Sequence, residues 1–330
     1  MIVLDEEIKQ NLLAFINAHS AFIIAGHKEP DGDSITSSLA MLSLVKGFGK
    51  KGVAISEGPF RRPEVRKYEP LFKKTWCFSP EDGVPGVFIV DCSTDDRLGD
   101  SIAPQLEGLP RFIIDHHKTS MCDNGNCIIR PDAPATAYLV QMVFELLDQE
   151  IDTRDAEILF FGLATDTGFF RFIEAGHGDV FEAAGRLINR GASPRLTLSA
   201  MSGNKSFASR KLLGRLLDRA ELHYEGKLVF TWETMEDTEM VGQGERDSDM
   251  LYQLLLGVNT IEVIVFVRQD TPDTCTAGLR SRDRIDVSTV AAAFGGGGHR
   301  NASGLSAEGI IETLGPRLIE AFGPLLEKLT

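Results

Sequence analysis

Positive charge is what this chain conspicuously lacks. Its 330 residues carry 34 Lys and Arg against 48 Asp and Glu, a formal net charge of −14. Proteins that hold long duplexes by their phosphates carry a basic surface, so bulk attraction to long nucleic acid is excluded. A phosphorylated substrate must instead be held by metal ions or by a small local patch. Cysteine is also scarce: five residues, an odd number without framework spacing, exclude a disulfide scaffold and read as a reduced, cytoplasmic protein. Cys122 and Cys127 read as ordinary loop thiols, because no second pair stands nearby to complete a zinc site. No apolar run approaches the roughly 20 residues of a membrane span. The acidic start, Met1 to Glu7, has no positively charged segment ahead of an apolar stretch, so no signal peptide is expected.

What is present is an alternation of short apolar runs with helical segments. Residues 6–18 read as an amphipathic helix, and 21–26 as a strand. A buried helix is expected over 34–45, strands near 52–55, 87–91 and 111–115, and helices at 135–148, 154–164 and 178–190. That order predicts an α/β fold with a doubly wound parallel sheet over residues 1–190. Residues 191–222, more basic and helical, read as a connector. Residues 223–330 read as a smaller α/β domain, with strands near 227–233, 261–268 and 275–281 and helices at 286–293 and 309–328.

Three of the apolar runs end in the same way. Phe22-Ile23-Ile24-Ala25-Gly26 leads to His27, with Asp31 and Asp33 just beyond; Val87 to Val90 leads to Asp91; Phe112-Ile113-Ile114 leads to Asp115-His116-His117. In an open parallel sheet, ligands sit beyond the carboxyl ends of the strands, so these residues should converge on one crevice. Asp166, at the end of the apolar segment 158–164, is a further candidate. Carboxylates suit hard divalent cations, and imidazole shifts preference toward Mn²⁺, Fe²⁺, Co²⁺ or Zn²⁺. The candidate ligands His27, Asp31, Asp33, Asp91, His116 and Asp166 are too many for one ion. They suit two ions about 3.5–4 Å apart, bridged by one carboxylate, which clamp phosphoryl oxygens and supply a nucleophile. In Pro30-Asp31-Gly32-Asp33, glycine lets the backbone turn so that the flanking carboxylates can face different ions.

These fragments, in order, resemble the motifs of the DHH phosphoesterase superfamily: Gly26 to Asp33, Val90-Asp91, Asp115-His116-His117 and Thr165-Asp166-Thr167-Gly168. That group includes the RecJ exonuclease and the family II inorganic pyrophosphatases. Phe294 to His299, with Ala302-Ser303-Gly304, resembles the glycine-rich signature of the associated DHHA1 domain. Length and domain spacing are most similar to the bacterial nano-RNase and pAp phosphatase branch, often labelled exopolyphosphatase-related. The resemblance implies a DHH catalytic domain and a DHHA1 domain with the active-site cleft between them. It implies that His27, Asp31 and Asp91 hold one metal and that Asp33, Asp91, His116 and Asp166 hold the other, Asp91 bridging. His117 faces the substrate and Asp115 orients a histidine. The chain departs from the pattern at Glu29, where Asn is common, and at Thr36, where Gly is usual; neither removes a ligand.

In the second domain, the four glycines Gly295 to Gly298 read as an anion-binding nest, with Gly296, Gly297, Gly298 and His299 offering donors to phosphate. Arg280 resembles the family position that grips a nucleotide phosphate, a role suited to its planar fork. Arg282 and Arg284 read equally as phosphate ligands or solvated surface. His177 reads as a loop or helix-cap residue. Phe169-Phe170-Arg171-Phe172 reads as core, with a nucleobase platform as the alternative.

The expected activity is two-metal hydrolysis of short oligoribonucleotides to 5′-mononucleotides and of pAp to AMP. The expected cofactor is a pair of divalent ions, Mn²⁺ first, with Mg²⁺ or Co²⁺ as alternatives. Expected partners are short single-stranded RNA or small nucleotides such as pAp and pApA, no membrane, and a second copy in a homodimer. The competing expectations are an inorganic pyrophosphatase or exopolyphosphatase, a phosphodiesterase for the linear cyclic-dinucleotide product pApA, and a non-catalytic nucleotide sensor.

Overall fold

The computed structural model describes residues 2–117, 122, 125–202, 205–242 and 246–329. It divides into two compact units, Met1–Gly203 and Asn204–Thr330. Among the described residues no helix is long and apolar enough to cross a membrane.

The first unit is built on five strands: β1 (Ala21–Ala25), β2 (Lys51–Ile55), β3 (Gly86–Val90), β4 (Arg111–Asp115) and β5 (Cys127–Ile129). They lie in the order β2-β1-β3-β4-β5 with every pair parallel. After β2 the chain crosses back over β1 to form β3 on the other side. The order of connection therefore reverses between β1 and β3, the place where open parallel sheets bind ligands. β1 and β3 are buried along their whole length, as strands with both faces covered must be. Alternate residues divide between the faces: Phe22, Ile24, Phe88, Val90, Phe112 and Ile114 enter one core, and Ile23, Ala25, Val87 and Ile89 the other.

Helices α1 (Glu6–Ala18), α2 (Gly32–Gly47), α3 (Asp95–Leu98), α4 (Thr136–Leu146), α5 (Thr153–Asp166), α6 (Gly178–Asn189) and α7 (Pro194–Ser202) complete the unit. Local chemistry starts the long ones. Asp5 accepts from the Ile8 amide, Asp31 from that of Ser34 and Asp152 from that of Asp155, each as an N-cap. α2 is buried through most of its length because small residues let it run close to α5. A Cβ on Gly32 would lie 2.4 Å from Thr165 Oγ1, and one on Gly162 would lie 2.2 Å from Thr36 Oγ1. Thr36 thus occupies the space that Gly162 leaves open on the facing helix. Its hydroxyl donates to the Gly32 carbonyl at 2.8 Å, so no buried polar group is stranded.

The second unit carries α8 (Phe207–Asp218), β6 (Glu221–His223), β7 (Leu228–Glu233), α9 (Met235–Val241), α10 (Ser248–Leu256), β8 (Val263–Thr271), β9 (Thr274–Ser281), α11 (Val287–Ala293), β10 (Gly297–His299), β11 (Ala302–Glu308) and α12 (Ile311–Leu326). Its sheet, ordered β10-β11-β9-β8-β7-β6, is antiparallel except for the β7–β8 pair. One face packs Val263, Val265, Leu279 and Leu305 with residues of α11 and α12. The other packs Val229, Ile264 and Phe266 with residues of α8 and α10.

Two expectations change here. Residues 191–222 are not a separate connector: Ala200 and Met201 of α7 pack on the first unit's core, whereas Leu212 and Leu216 of α8 belong to the second unit. Cys122 and Cys127 are not loop thiols but a disulfide, their Cα atoms 6.2 Å apart. Gly125, between them, stands at φ +75°, a conformation that glycine adopts without steric cost. Cys77, Cys92 and Cys275 are free.

The α2–α5 contact makes a stability prediction. Gly162→Ala should destabilise the chain by about 1–3 kcal/mol, the usual cost of overpacking a tight interior. Thr36→Gly in the same chain should recover part of that loss, because it removes the nearest obstructing atom. Denaturant unfolding of the single and double variants measures both.

Candidate metal centre

The three strand ends converge as their order requires. His27 follows β1, Asp91 follows β3, and Asp115, His116 and His117 end β4 or follow it, on three adjacent strands. Asp31 and Asp33 lie at the N-terminus of α2, and Asp166 ends α5. All eight predicted residues of the first domain are therefore brought to one place.

Asp91 sits at its centre, 2% exposed. It is held at φ +60°, a left-handed conformation that Asp tolerates better than most residues and that recurs at functional sites. Its Oδ2 lies 3.4 Å from His27 Nε2, and its Oδ1 lies 3.6 Å from His116 Nε2. The other carboxylates extend this pattern on either side. Asp31 Oδ1 is 3.7 Å from His27 Nε2, while Asp166 Oδ2 and Asp33 Oδ2 are 3.4 and 3.9 Å from His116 Nε2. Two groups can each hold a cation, His27–Asp31–Asp91 and Asp33–His116–Asp166, and Asp91 also groups with His116 and His117.

The imidazoles are oriented for that task. His27 Nδ1 lies 2.8 Å from the Lys28 carbonyl oxygen, and His116 Nδ1 lies 3.2 Å from that of Ala133. Each Nδ1 donates there, which fixes the ring and turns Nε2 toward the carboxylates, where it can serve as a ligand once a cation displaces any proton it carries. His117 differs: its Nδ1 is 2.7 Å from Asp115 Oδ1, which also accepts the His117 backbone amide at 3.1 Å. Asp115 is buried and positions His117, the half-exposed histidine of the pair.

Four carboxylates in so small a volume repel one another, and the proton affinities of Asp33 and Asp166 record it. Burial, with the charges of Asp91, Asp166 and Asp31 adding, holds Asp33 well above the usual carboxylate range. Burial also raises Asp166, from 3.8 to about 6, with Asp91 and Asp31 adding and His116 opposing. Burial alone would lower His27, but hydrogen bonding and charge from Asp31 and Asp91 outweigh it and push it from 6.5 up to about 10. Burial likewise pushes Asp31 up, yet His27 holds it well below its ordinary value. His117 is raised chiefly by Asp115.

One helix end eases this crowding, and sequence reasoning missed it. The amides of Thr136 and Ala137, in the first turn of α4, donate to Asp33 Oδ2 and Oδ1 at 2.6 and 2.8 Å. The Thr136 hydroxyl donates to Asp91 Oδ1 at 2.9 Å. A helix N-terminus favours negative charge, and here it fixes two of the carboxylates. The available signal was Pro134-Ala135-Thr136 ahead of an apolar helix. Arg97 was also missed; it lines a cavity of about 270 Å³ with Thr94, Asp96 and His117. Glu29 turns away from the carboxylates and pairs with Arg61 at 2.9 Å, both side chains exposed.

The remaining aromatic and histidine candidates divide. Phe169 and Phe170 pack against the core as expected, but Phe172 is 70% exposed. His177 stands at the N-cap of α6, yet its side chain makes no capping hydrogen bond.

In the second unit, Arg280 and His299 are both register partners of Ala302, on neighbouring strands of one sheet. Both therefore belong to one face, on either side of a small residue. The Arg280 guanidinium lies 4.3 Å from the centre of the Tyr252 ring. The glycine run is more structural than a free nest. The Gly295 and Gly296 amides donate to the carbonyls of Ala292 and Ala291, and Gly297 and Gly298 form β10, paired with β11. Packing demands glycine twice: a Cβ on Gly296 would lie 2.3 Å from the Gly304 carbonyl oxygen, and one on Gly298 would lie 2.7 Å from that of Ala302. Gly297 is open, with nothing within 4 Å of a Cβ there. Arg282 donates to the carbonyls of Leu256 and Val258, and Arg284 lies 3.8 Å from Glu262.

Known proteins resemble this chain in sequence and in fold. The bifunctional oligoribonuclease and PAP phosphatase NrnA of Thermus thermophilus is 29% identical over 307 residues, covering 90% of this chain and 88% of that protein. The cyclic-di-AMP phosphodiesterase GdpP of Bacillus subtilis is 26% identical over 348 residues, and this chain spans 50% of its length. An exopolyphosphatase-related protein from Bacteroides fragilis has the same fold, with a TM-score of 0.75 at 20% identity over 99% of both chains. RecJ from Thermus thermophilus in complex with Mn²⁺ aligns with a TM-score of 0.51 at 13% identity, over 99% of this chain and 56% of that one. Residues 21–163 match the N-terminal domain of the DHH family and residues 245–328 match the DHHA1 domain. This chain therefore carries a DHH N-terminal domain followed by a DHHA1 domain.

Proposed function

We propose that this chain is a divalent-metal-dependent phosphoesterase that hydrolyses short oligoribonucleotides to 5′-mononucleotides and pAp to AMP. The observation that carries the reading is the division of Asp91, one oxygen facing His27 and the other facing His116. A carboxylate so shared suits two cations, each completed by its own aspartates. The donor set fits: carboxylates with imidazole favour Mn²⁺ or its neighbours over Ca²⁺, and RecJ, which shares the fold, was solved with Mn²⁺. His27, Asp31 and Asp91 would hold one ion; Asp33, Asp91, His116 and Asp166 the other. When bound, such a pair activates water and neutralises charge on a phosphoryl group.

The chain's own residues do the rest. Asp115 keeps His117 in one orientation, so that its imidazole can hold a phosphoryl oxygen or give a proton to the leaving group. Thr136 keeps Asp91 in place. In the second unit, Arg280, Gly297 and His299 would receive substrate phosphate; Gly296 and Gly298 shape the hairpin that presents them. Local capture of this kind reconciles a −14 chain with a nucleotide substrate. NrnA, similar along most of both chains, supports the oligoribonucleotide and pAp reading. GdpP, and PdeA of Listeria monocytogenes, are named as cyclic-di-AMP phosphodiesterases, which makes an adenine dinucleotide such as pApA the second substrate to test.

Purified protein with Mn²⁺ should convert RNAs of a few nucleotides to 5′-mononucleotides and pAp to AMP, both faster than it splits pyrophosphate. Asp91→Ala should lower these rates by at least about 10³-fold, the several kcal/mol that a metal clamp supplies. No turnover of any oligonucleotide, pAp or pApA by metal-replete protein would refute the reading.

Charge crowding makes a separate prediction for metal-free protein. Asp166, raised from 3.8 to about 6, is penalised when ionised in the folded state. That cost is fully present above the folded pKa and absent below the unfolded one. Asp166→Asn should therefore raise the unfolding midpoint of chelator-treated protein, by about 2–4 °C for each kcal/mol relieved. The gain should be greatest above pH 6 and fade as pH falls from 6 to 3.8. With excess Mn²⁺ the sign should reverse, which thermal unfolding scans would reveal.

A further inference from the structure

Phe172 is a large apolar side chain left 70% exposed, yet its ring is held in place. Gly168, the last residue of the Thr165-Asp166-Thr167-Gly168 motif, lies beneath it: a Cβ there would sit 2.4 Å from Phe172 Cε2. The Phe172 amide donates to the Thr167 carbonyl. Arg171 donates through Nε to the Gly168 carbonyl at 2.8 Å, and its guanidinium lies 5.6 Å from the Phe172 ring centre. The motif that ends in a metal-ligand candidate therefore also makes the seat for an exposed aromatic ring.

Behind that ring lies a cavity of about 210 Å³, lined by Asp132, Asp166, Phe172, Glu174 and His177 among others. It is smaller than the about 300–1,000 Å³ of pockets that enclose a whole small ligand, so it suits part of one. None of the residues lining it is Lys or Arg, so it offers no guanidinium or ammonium to a phosphate. Its carboxylates can accept hydrogen bonds, and Phe172 offers a flat apolar face. Asp166 belongs both to this wall and to the metal-ligand group, so a ring bound here would adjoin the scissile phosphate.

We propose that Phe172 and this cavity receive an amino-bearing nucleobase of the substrate, stacked on the ring, with Asp132 and Glu174 accepting from its exocyclic amine. This rests on the phosphoesterase reading and adds a base-recognition subsite to it. A uracil ring has no exocyclic amine and a single ring N–H flanked by two carbonyl oxygens, so it would suit the carboxylates less well. Stacking on an aromatic side chain is worth enough that its removal weakens binding by about tenfold.

Calorimetric titration of the full chain with AMP, UMP and ribose 5-phosphate tests the subsite without turnover. The wild type should bind AMP about tenfold more tightly than ribose 5-phosphate, with UMP between them. Phe172→Ala should bind AMP no better than ribose 5-phosphate, Phe172→Trp should retain the preference, and Glu174→Gln should narrow the gap between AMP and UMP. An exposed ring contributes little to folding, so an unchanged unfolding midpoint in Phe172→Ala confirms that the loss is local. Wild-type protein that binds AMP and ribose 5-phosphate equally, or a Phe172→Ala variant that keeps the AMP preference, overturns the proposal. Hydrolysis of short RNA by the wild type, run in parallel, separates this failure from failure of the phosphoesterase reading itself.

Discussion

Everything at the candidate centre depends on one unfavourable interaction, the mutual repulsion of Asp31, Asp33, Asp91 and Asp166. Folding brings these four carboxylates together with two imidazoles whose Nε2 atoms point among them. Like charges so close and so buried are tolerated only with compensation. Part of it comes from the His27 imidazole, part from the amides at the start of α4. The remainder is what bound divalent cations would neutralise, and the repulsion in the ion-free site would be the source of their affinity.

The fold holds this repulsion in place by rigid means. β1, β3 and β4 are adjacent, parallel and buried on both faces, so the positions of His27, Asp91 and His116 follow from the strand register. α2 and α5 bring Asp33 and Asp166 to the same point because Gly32 and Gly162 let the helices approach closely. Small residues in the helix contact are thus as much a part of the site as the ligands. Phe172, seated on Gly168, extends the same economy outward: a residue without a side chain beside a ligand leaves room for a ring.

The site was legible in the sequence to the extent that strand ends announce themselves. Runs such as Phe112-Ile113-Ile114 before Asp115-His116-His117 state both the strand and its terminus, and parallel topology then places their ends together. The boundaries of α1, β4 and most other elements followed from periodicity and capping residues. What was not legible depends on contacts distant in the chain. Thr136 acts through its place on a helix end, which its identity does not reveal. Cys122 and Cys127 are a pair by their approach to 6.2 Å between Cα atoms, which their spacing in the chain does not announce. The glycine run looked like a free anion nest because the close passage of Gly304 and Ala302, which makes glycine obligatory at positions 296 and 298, is a fact of the hairpin. Within Phe169 to Phe172, apolarity alone could not separate two core rings from an exposed one.

The proposed activity rests on Asp91 being shared by two ions. The most direct test is the Mn²⁺ content of the purified chain at saturation, measured by elemental analysis beside an equilibrium titration. Two ions per chain are expected for the wild type, falling to one or fewer in Asp91→Asn while His117→Ala still binds two. A single ion in the wild type, or two retained by Asp91→Asn, would contradict it.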